Sequence, residues 1–410
     1  MTSAIRARAS WFREFFRAAT ASVLAFAGSE SLLPELAWAE AADSIAVQAQ
    51  RPFVAGGYDD KPYLTGLFGR IAVGGYAEFQ AVWEREDGVT EEAGFLLKRW
   101  DLLVFTRVSD RVQMWAGVEF EDGGQEIALE LAQLDFMLHQ TFNLRGGILL
   151  LPLGRFNLSH DGPRNEFTDR PLLATDLLGS ALFMPGLGAF GRFSNRSLGS
   201  ATYELYGVNG YGPGIVDASP AATRLPAGRG NFEDNNASAS LVGRLGWSLG
   251  EEYEFGLSGF TGAYNTYRVD GLDVDERRSV RIGAIDARAR LLGLDWNGEA
   301  ANVEVDIPPG LAVLYASRQA GFFIETRREF GRNWIRAMPG ASFSAAVRAE
   351  GVDFDRDLVG DSHRQFTYGI HFRPTPESVL KLDYARGRSR DRFNNPFEGA
   401  ALKFSMTSYF

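Results

Sequence analysis

The stretch that decides the fold is Ala401-Leu-Lys-Phe-Ser-Met-Thr-Ser-Tyr-Phe410, which ends the chain on an aromatic residue. Chain ends usually fray, and small or polar side chains suit that. Here Leu402, Phe404, Met406 and Phe410 fall on one side of a period-2 pattern, and Lys403, Ser405, Thr407 and Tyr409 on the other. The pattern is a strand with one apolar face that runs to the last residue. Such a strand needs a partner.

The same unit recurs upstream. In Arg111–Glu121, Val112, Met114, Ala116, Val118 and Phe120 oppose Arg111, Gln113, Trp115, Glu119 and Glu121. Ala239–Leu249 and Arg364–Phe372 repeat it. These are half-buried antiparallel strands of about ten residues. Connections alternate between tight turns, such as Val108–Arg111 and His139–Thr141, and longer segments at 85–94, 152–186, 210–237, 265–277, 304–317, 353–362 and 389–399. Sixteen strands result, the first starting near 71 and the last near 400, with Leu311–Ala316 open as a further strand or a loop helix.

Composition agrees. The 410 residues include 46 Gly and 31 Phe, carry a formal charge of −10, and contain no Cys, which excludes disulfides and thiolate chemistry. Gly and Phe enrichment with only four Lys favours strands and turns over helices. No run of about 18 apolar residues offers a spanning helix. Arg6, Arg8, Arg13 and Arg17 precede the apolar run Ala18–Ala27, and Ala37-Trp-Ala39 supplies small residues before Glu40. That order predicts a secretory signal peptide over 1–39, with an amphipathic N-terminal helix as the alternative. A periplasmic N-terminal segment is expected over 40–70, with threading into the barrel as the alternative, and the barrel over 71–410.

Sixteen amphipathic strands behind a signal peptide predict an all-β transmembrane antiparallel β-barrel, because hydrocarbon admits only structures whose backbone groups are all paired. Apolar faces then meet lipid, polar faces a watery lumen, short turns the periplasm and long loops the outside. The last strand closes against the first. The longest connection, Leu151–Gly186, is too apolar to be disordered. It is expected to fold inward and narrow the lumen as a constriction loop over 152–186, with an external lid as the alternative.

Gly74-Gly-Tyr76, Arg145-Gly-Gly147, Leu151-Pro-Leu-Gly154, Asn157, His160, Asp169-Arg-Pro171, Gly186-Leu-Gly188 and Gly191 together resemble the family of phosphate-selective porins O and P. The resemblance covers roughly 60–410, with its specific part at 145–191. It implies a trimeric channel of the Gram-negative outer membrane, with passive diffusion past the third external loop. Phosphate-selecting members use several Lys at the constriction, and this loop has none.

The expected channel-lining residues are Arg145, Arg155, Asp161, Arg164, Glu166, Asp169, Arg170 and Asp176. Arg99, Arg107, Arg244, Arg281, Arg288, Arg290 and Arg348 are expected along the wall, with acids among them. Arginine holds anions bidentately, while mixed signs predict a transverse field and weak selectivity. Passage of small hydrophilic solutes or ions, anions such as phosphate included, is the expected function. A closed or plugged barrel acting as receptor, adhesin or anchor is the alternative. Expected partners are outer-membrane lipid, lipopolysaccharide, small solutes and two further copies in a homotrimer; nucleic acid is not expected.

Three chemical signals carry less. Gly186-Leu-Gly-Ala-Phe-Gly191 spells a dinucleotide fingerprint without the following helix that would hold pyrophosphate. Ser159-His160-Asp161 invites a hydrolase reading, but triad roles come from spatial geometry. The acidic runs Asp353–Asp357 and Asp273–Glu276 lack the Gly and terminal Glu of a calcium loop. No cofactor, metal or catalytic residue is expected.

Overall fold

The computed structural model describes residues 52–62, 64–66, 71–216 and 222–410. The expected signal peptide over 1–39 lies outside them. Sixteen strands form one antiparallel barrel: β1 (Ile71–Glu86), β2 (Val89–Ser109), β3 (Val112–Glu121), β4 (Glu126–His139), β5 (Phe142–Leu150), β6 (Phe183–Asn195), β7 (Gly199–Val208), β8 (Ser240–Leu249), β9 (Tyr253–Ala263), β10 (Ser279–Leu291), β11 (Leu294–Val305), β12 (Arg318–Phe330), β13 (Ser342–Asp353), β14 (Ser362–Thr375), β15 (Ser378–Arg390) and β16 (Pro396–Tyr409). Each pairs with its sequence neighbours, and β16 returns to β1 with Tyr409 opposite Tyr76. Closure leaves no edge to satisfy in lipid.

The terminal aromatic completes that seam. The Phe410 N–H donates to the Gly75 carbonyl at 3.0 Å, and the ring stacks on Trp100 at 6.0 Å. Below Tyr76, where β16 has ended, the short strand Leu64–Gly66 takes its place and pairs with Ile71–Val73.

Outward residues make the apolar belt. Phe79, Trp83, Leu245, Leu257, Ile285, Ile370 and Leu402 are exposed, as lipid contact requires. This belt, on a closed barrel, places the protein in a Gram-negative outer membrane. Where Gly186, Gly188 and Gly191 lie in β6 the backbone is crowded: a Cβ on Gly188 would meet the Leu205 carbonyl oxygen at 2.1 Å.

Three boundaries differ from the sequence reading. The segment 85–94 is a two-residue turn, Asp87-Gly88, because β1 and β2 continue as a long hairpin and Gly88 takes φ +85°. The long loop is 151–182, since β6 already begins at Phe183. Residues 331–341, between β12 and β13, make a long connection at the end otherwise closed by short turns.

The inner face also departs from a uniformly polar lumen. Val242, Phe260, Val280, Ile282, Val303, Val305, Phe323 and Val352 point inward and are buried. They form one core with loop residues Leu153, Phe156, Leu173, Leu177 and Leu178, and with Tyr211, Ile215 and Leu225 from the connection after β7. These strands are apolar on both faces because one face meets lipid and the other meets the loop.

Candidate functional site: the loop across the barrel

The loop starts from a closed neck. The Leu151 N–H donates to the Leu182 carbonyl at 3.0 Å, and the buried Asn157 amide ties both sides. Its Nδ2 donates to the Leu151 and Leu182 carbonyls at 2.9 Å each, and its Oδ1 accepts from the Leu182 N–H at 2.7 Å. From this neck the chain crosses to the far wall. Gly154 takes φ +77°, and the Glu299 carboxylate of β11 accepts from the Phe156 N–H at 3.1 Å. A Cβ on Gly154 would fall 1.9 Å from that carboxylate. Gly154→Ala is therefore expected to cost the seated loop about 2–4 kcal/mol, from backbone strain and a displaced Glu299. Limited proteolysis of the folded barrel checks it: the variant should be cut within 151–182 faster than wild type.

The second half of the loop is pinned by charge. Lys381 of β15 donates to the Gly162 and Phe167 carbonyls at 2.9 and 3.1 Å. The Thr168 N–H donates to Asp383 at 2.7 Å, and the Leu172 N–H to Glu350 at 2.7 Å. Arg348 donates to the Asp169 carbonyl at 3.0 Å. Glu166 lies 3.6 Å from Arg327 and 3.1 Å from His371, which also holds Asp383 at 2.9 Å.

Burial would raise the Glu166 carboxyl, but Arg327 and His371 outweigh it and hold it at about 2. A depressed carboxylate stabilises above its unfolded value and loses that contribution as pH falls through the folded one. Loop seating should thus weaken between about pH 4.5 and 2, by at most about 3 kcal/mol. Glu166→Gln should remove that dependence, read as the acid midpoint for protease access to the loop.

The remaining expected residues divide by place. Arg155, Arg164 and Glu166 come together in a cavity of about 380 Å³, with Arg288, Arg327, Arg348 and Arg373 from the wall and Asp60, Asp295 and Glu325 beside them. Arg145 lies elsewhere, holding Asp135 through Nε and Nη2 at 2.8 and 2.9 Å in a second cavity of about 170 Å³.

Four expected lining residues hold partners on the wall, Asp161 and Arg170 buried and Asp169 and Asp176 with side chains 32% and 34% exposed. Asp161 is buried against Lys61 and accepts from the Tyr409 hydroxyl at 2.6 Å. Arg170 is buried 3.3 Å from Glu119, Asp169 pairs with Lys403 at 2.8 Å, and Asp176 lies 3.5 Å from His363. A loop carrying both charge signs finds complementary partners on every side of the wall, so most of its charges are spent on docking. Arg281 sits on the outward face of β10, between the inward Val280 and Ile282.

Of the N-terminal segment, residues 52–62 pack against this loop, as the barrel-threading alternative expects. The Ser159 hydroxyl donates to the Gly56 carbonyl at 2.9 Å, Arg155 to the Ala55 carbonyl at 2.6 Å, and Arg164 to the Asp60 carbonyl at 3.0 Å. The Tyr58 hydroxyl donates to Glu130 of β4, and Phe53 meets Phe190 of β6 edge-on at 5.4 Å. Ala55, Gly56 and Asp60 line the larger cavity, and Phe53, Val54, Tyr58 and Asp59 the smaller, so the segment stands between the two.

The would-be triad is dispersed. Ser159 binds Gly56, while His160 holds the Asn157 carbonyl through Nδ1 and Glu130 through Nε2, both at 2.7 Å.

The closed barrel is a fold that solved outer-membrane channels share. The DcaP channel of Acinetobacter baumannii superposes with a TM-score of 0.56 at 12% identity, over 85% of this chain and all (100%) of that one. An anion-selective porin from Comamonas acidovorans gives 0.55 at 9% identity, over 83% and 99% of the two chains. The fold is that of an outer-membrane porin. In sequence, an uncharacterized protein of Aquifex aeolicus is 24% identical over 362 residues, 81% of this chain and 79% of that one. No family model matches the sequence.

Proposed function

We propose that this barrel is a porin for passive diffusion of small hydrophilic solutes, with a weak preference for anions. The observation that carries the reading is the cavity beneath the loop, where six arginines (155, 164, 288, 327, 348 and 373) face four carboxylates (Asp60, Glu166, Asp295 and Glu325). Guanidinium groups present paired donors to carboxylates and phosphates. The interleaved acids lower the net field, so the cavity favours anions without excluding cations. The anion-selective porin among the structural neighbours supports this sign.

The Lys-poor loop argues against phosphate specificity within the phosphate-selective porin family. A homotrimer is supported by a neighbour described in a trimer form, the Vibrio cholerae outer-membrane protein OmpT, at a TM-score of 0.50. The protein acts without catalysis, after export by a signal peptide over 1–39, and meets lipopolysaccharide in the outer leaflet. Segment 52–62 favours one refinement: the resting barrel is partly plugged from its short-turn end.

The test is single-channel recording in a planar bilayer with a salt gradient. Discrete steps with a reversal potential of the anion sign, small against the Nernst limit, support the proposal. A folded barrel without conductance removes it and leaves the receptor or anchor reading.

A further inference from the structure

The outer wall carries a charge cluster that the channel does not use. Inward positions on β15 (Lys381, Asp383, Ala385) are buried, so Tyr384, Arg386, Arg388 and Arg390 alternate onto the lipid side. Strand register assembles the rest. Arg364 of β14 sits opposite Arg388, and Ala400 of β16 sits between Arg386 on one side and Arg85 of β1 on the other. Five arginines thus share one outward patch across four adjacent strands. The carboxylates beside them are Glu398, 3.7 Å from Arg386 and also paired with Arg388, Asp353 at the end of β13, and Asp87, which accepts from the Glu398 N–H at 2.9 Å. The Arg386 and Arg388 side chains remain 70% and 58% exposed.

The height of this patch gives it meaning. Directly below it lie Tyr384, Trp83 and Leu402, and the apolar belt continues down to Phe410. From Ala400 to Phe410 the strand descends about 23 Å, at roughly 3.3 Å per residue and a tilt of about 45°. That is the height of the apolar band of a barrel. The arginines therefore stand at the headgroup level of the outer leaflet, on the side of the long loops. A guanidinium there meets neither hydrocarbon nor open water but the charged heads of lipid.

We propose that Arg85, Arg364, Arg386, Arg388 and Arg390 form a binding site for the phosphate groups of a phosphorylated outer-leaflet glycolipid. Each guanidinium can hold two oxygens of one phosphate, and basic clusters at membrane height bind anionic headgroups. Three carboxylates against five arginines still leave the patch cationic, and the aromatic residues below it are placed to pack acyl chains. The site rests on the outer-membrane placement and not on the channel reading.

The experiment titrates delipidated full-length protein in detergent with bisphosphorylated lipid A and with the same lipid stripped of both phosphates, using native mass spectrometry. Wild type should bind the phosphorylated lipid at least tenfold more tightly. The Arg364→Gln/Arg386→Gln/Arg388→Gln variant should lose that margin, while its conductance and lipid-free melting temperature stay unchanged. Arg386→Gln alone, should the triple variant fail to fold, should lose part of it and Arg386→Lys less. Equal binding of the two lipids by wild type overturns the proposal. So does a variant that keeps the margin, or one that changes only the oligomeric state, since the patch would then be a contact between copies of this chain.

Discussion

Excising residues 52–62 is expected to raise single-channel conductance at least twofold. The segment stands between cavities of about 380 and 170 Å³, and its removal should merge them. Its attachments include carbonyls of Ala55, Gly56 and Asp60 that accept from the loop, Tyr58 on Glu130 and edge-on to His160, Phe53 beside Phe190 and under Arg192, and Lys61 on Asp161. Neutral bonds contribute about 1 kcal/mol each and charge-assisted ones about 1.5–3. Ordering eleven residues costs on the order of 1–2 kcal/mol apiece. These opposing terms are of similar size, so the segment is a unit of low local stability. Lys61→Met should act in the same direction more weakly, because Asp161 keeps the Tyr409 hydroxyl at 2.6 Å. The readout is step size and open-channel noise in planar bilayers. Unchanged steps from a barrel of unchanged heat stability would show that ions pass without crossing the segment.

The barrel was legible because alternation is a local signal. Val112–Glu121 and Ser362–Thr375 read correctly without any tertiary information, since lipid on one side imposes the same period on every strand. The strand count and the seam at Phe410 followed from it. What the pattern hid was the inner face. Val280, Ile282, Val303 and Val305 are apolar toward the lumen because they seat the loop, and a strand apolar on both sides carries no mark of which side is lipid.

The site was half legible for a related reason. Arg155, Arg164 and Glu166 stood in the longest loop, and Arg288 and Arg348 were among the arginines expected along the wall. Arg327 and Arg373 share the inward parity of Glu325 and His371, so the signal for them was present but went uncounted. Segment 52–62 offered no signal. Eleven residues without a period make their contacts at separations near 100 residues, as Ser159 with Gly56 shows.

Reversing two charges in the cavity should reverse the preference of the pore. Six arginines against four carboxylates leave the lining formally at +2, and Arg164→Glu with Arg288→Glu takes it to −2. These two are chosen for their position. The Arg164 side chain is 39% exposed, meets the segment through the Asp60 backbone and carboxylate, and lies 5.8 Å over the Tyr409 ring. Arg288 faces the cavity from the lower part of β10. Neither holds the loop as Arg348 and Arg373 do, through the carbonyls of Asp169 and Pro163. Exposed charges act on permeant ions within a Debye length, about 10 Å at 0.1 M salt. In a tenfold potassium chloride gradient the reversal potential should change sign and move by on the order of 20 mV, against ~59 mV for perfect univalent selectivity. Raising both baths to about 1 M, where the Debye length is near 3 Å, should shrink the difference between variant and wild type. A variant that keeps the wild-type sign at low salt would place the selecting field outside this cavity, and the arginines under the loop would then be scaffold alone.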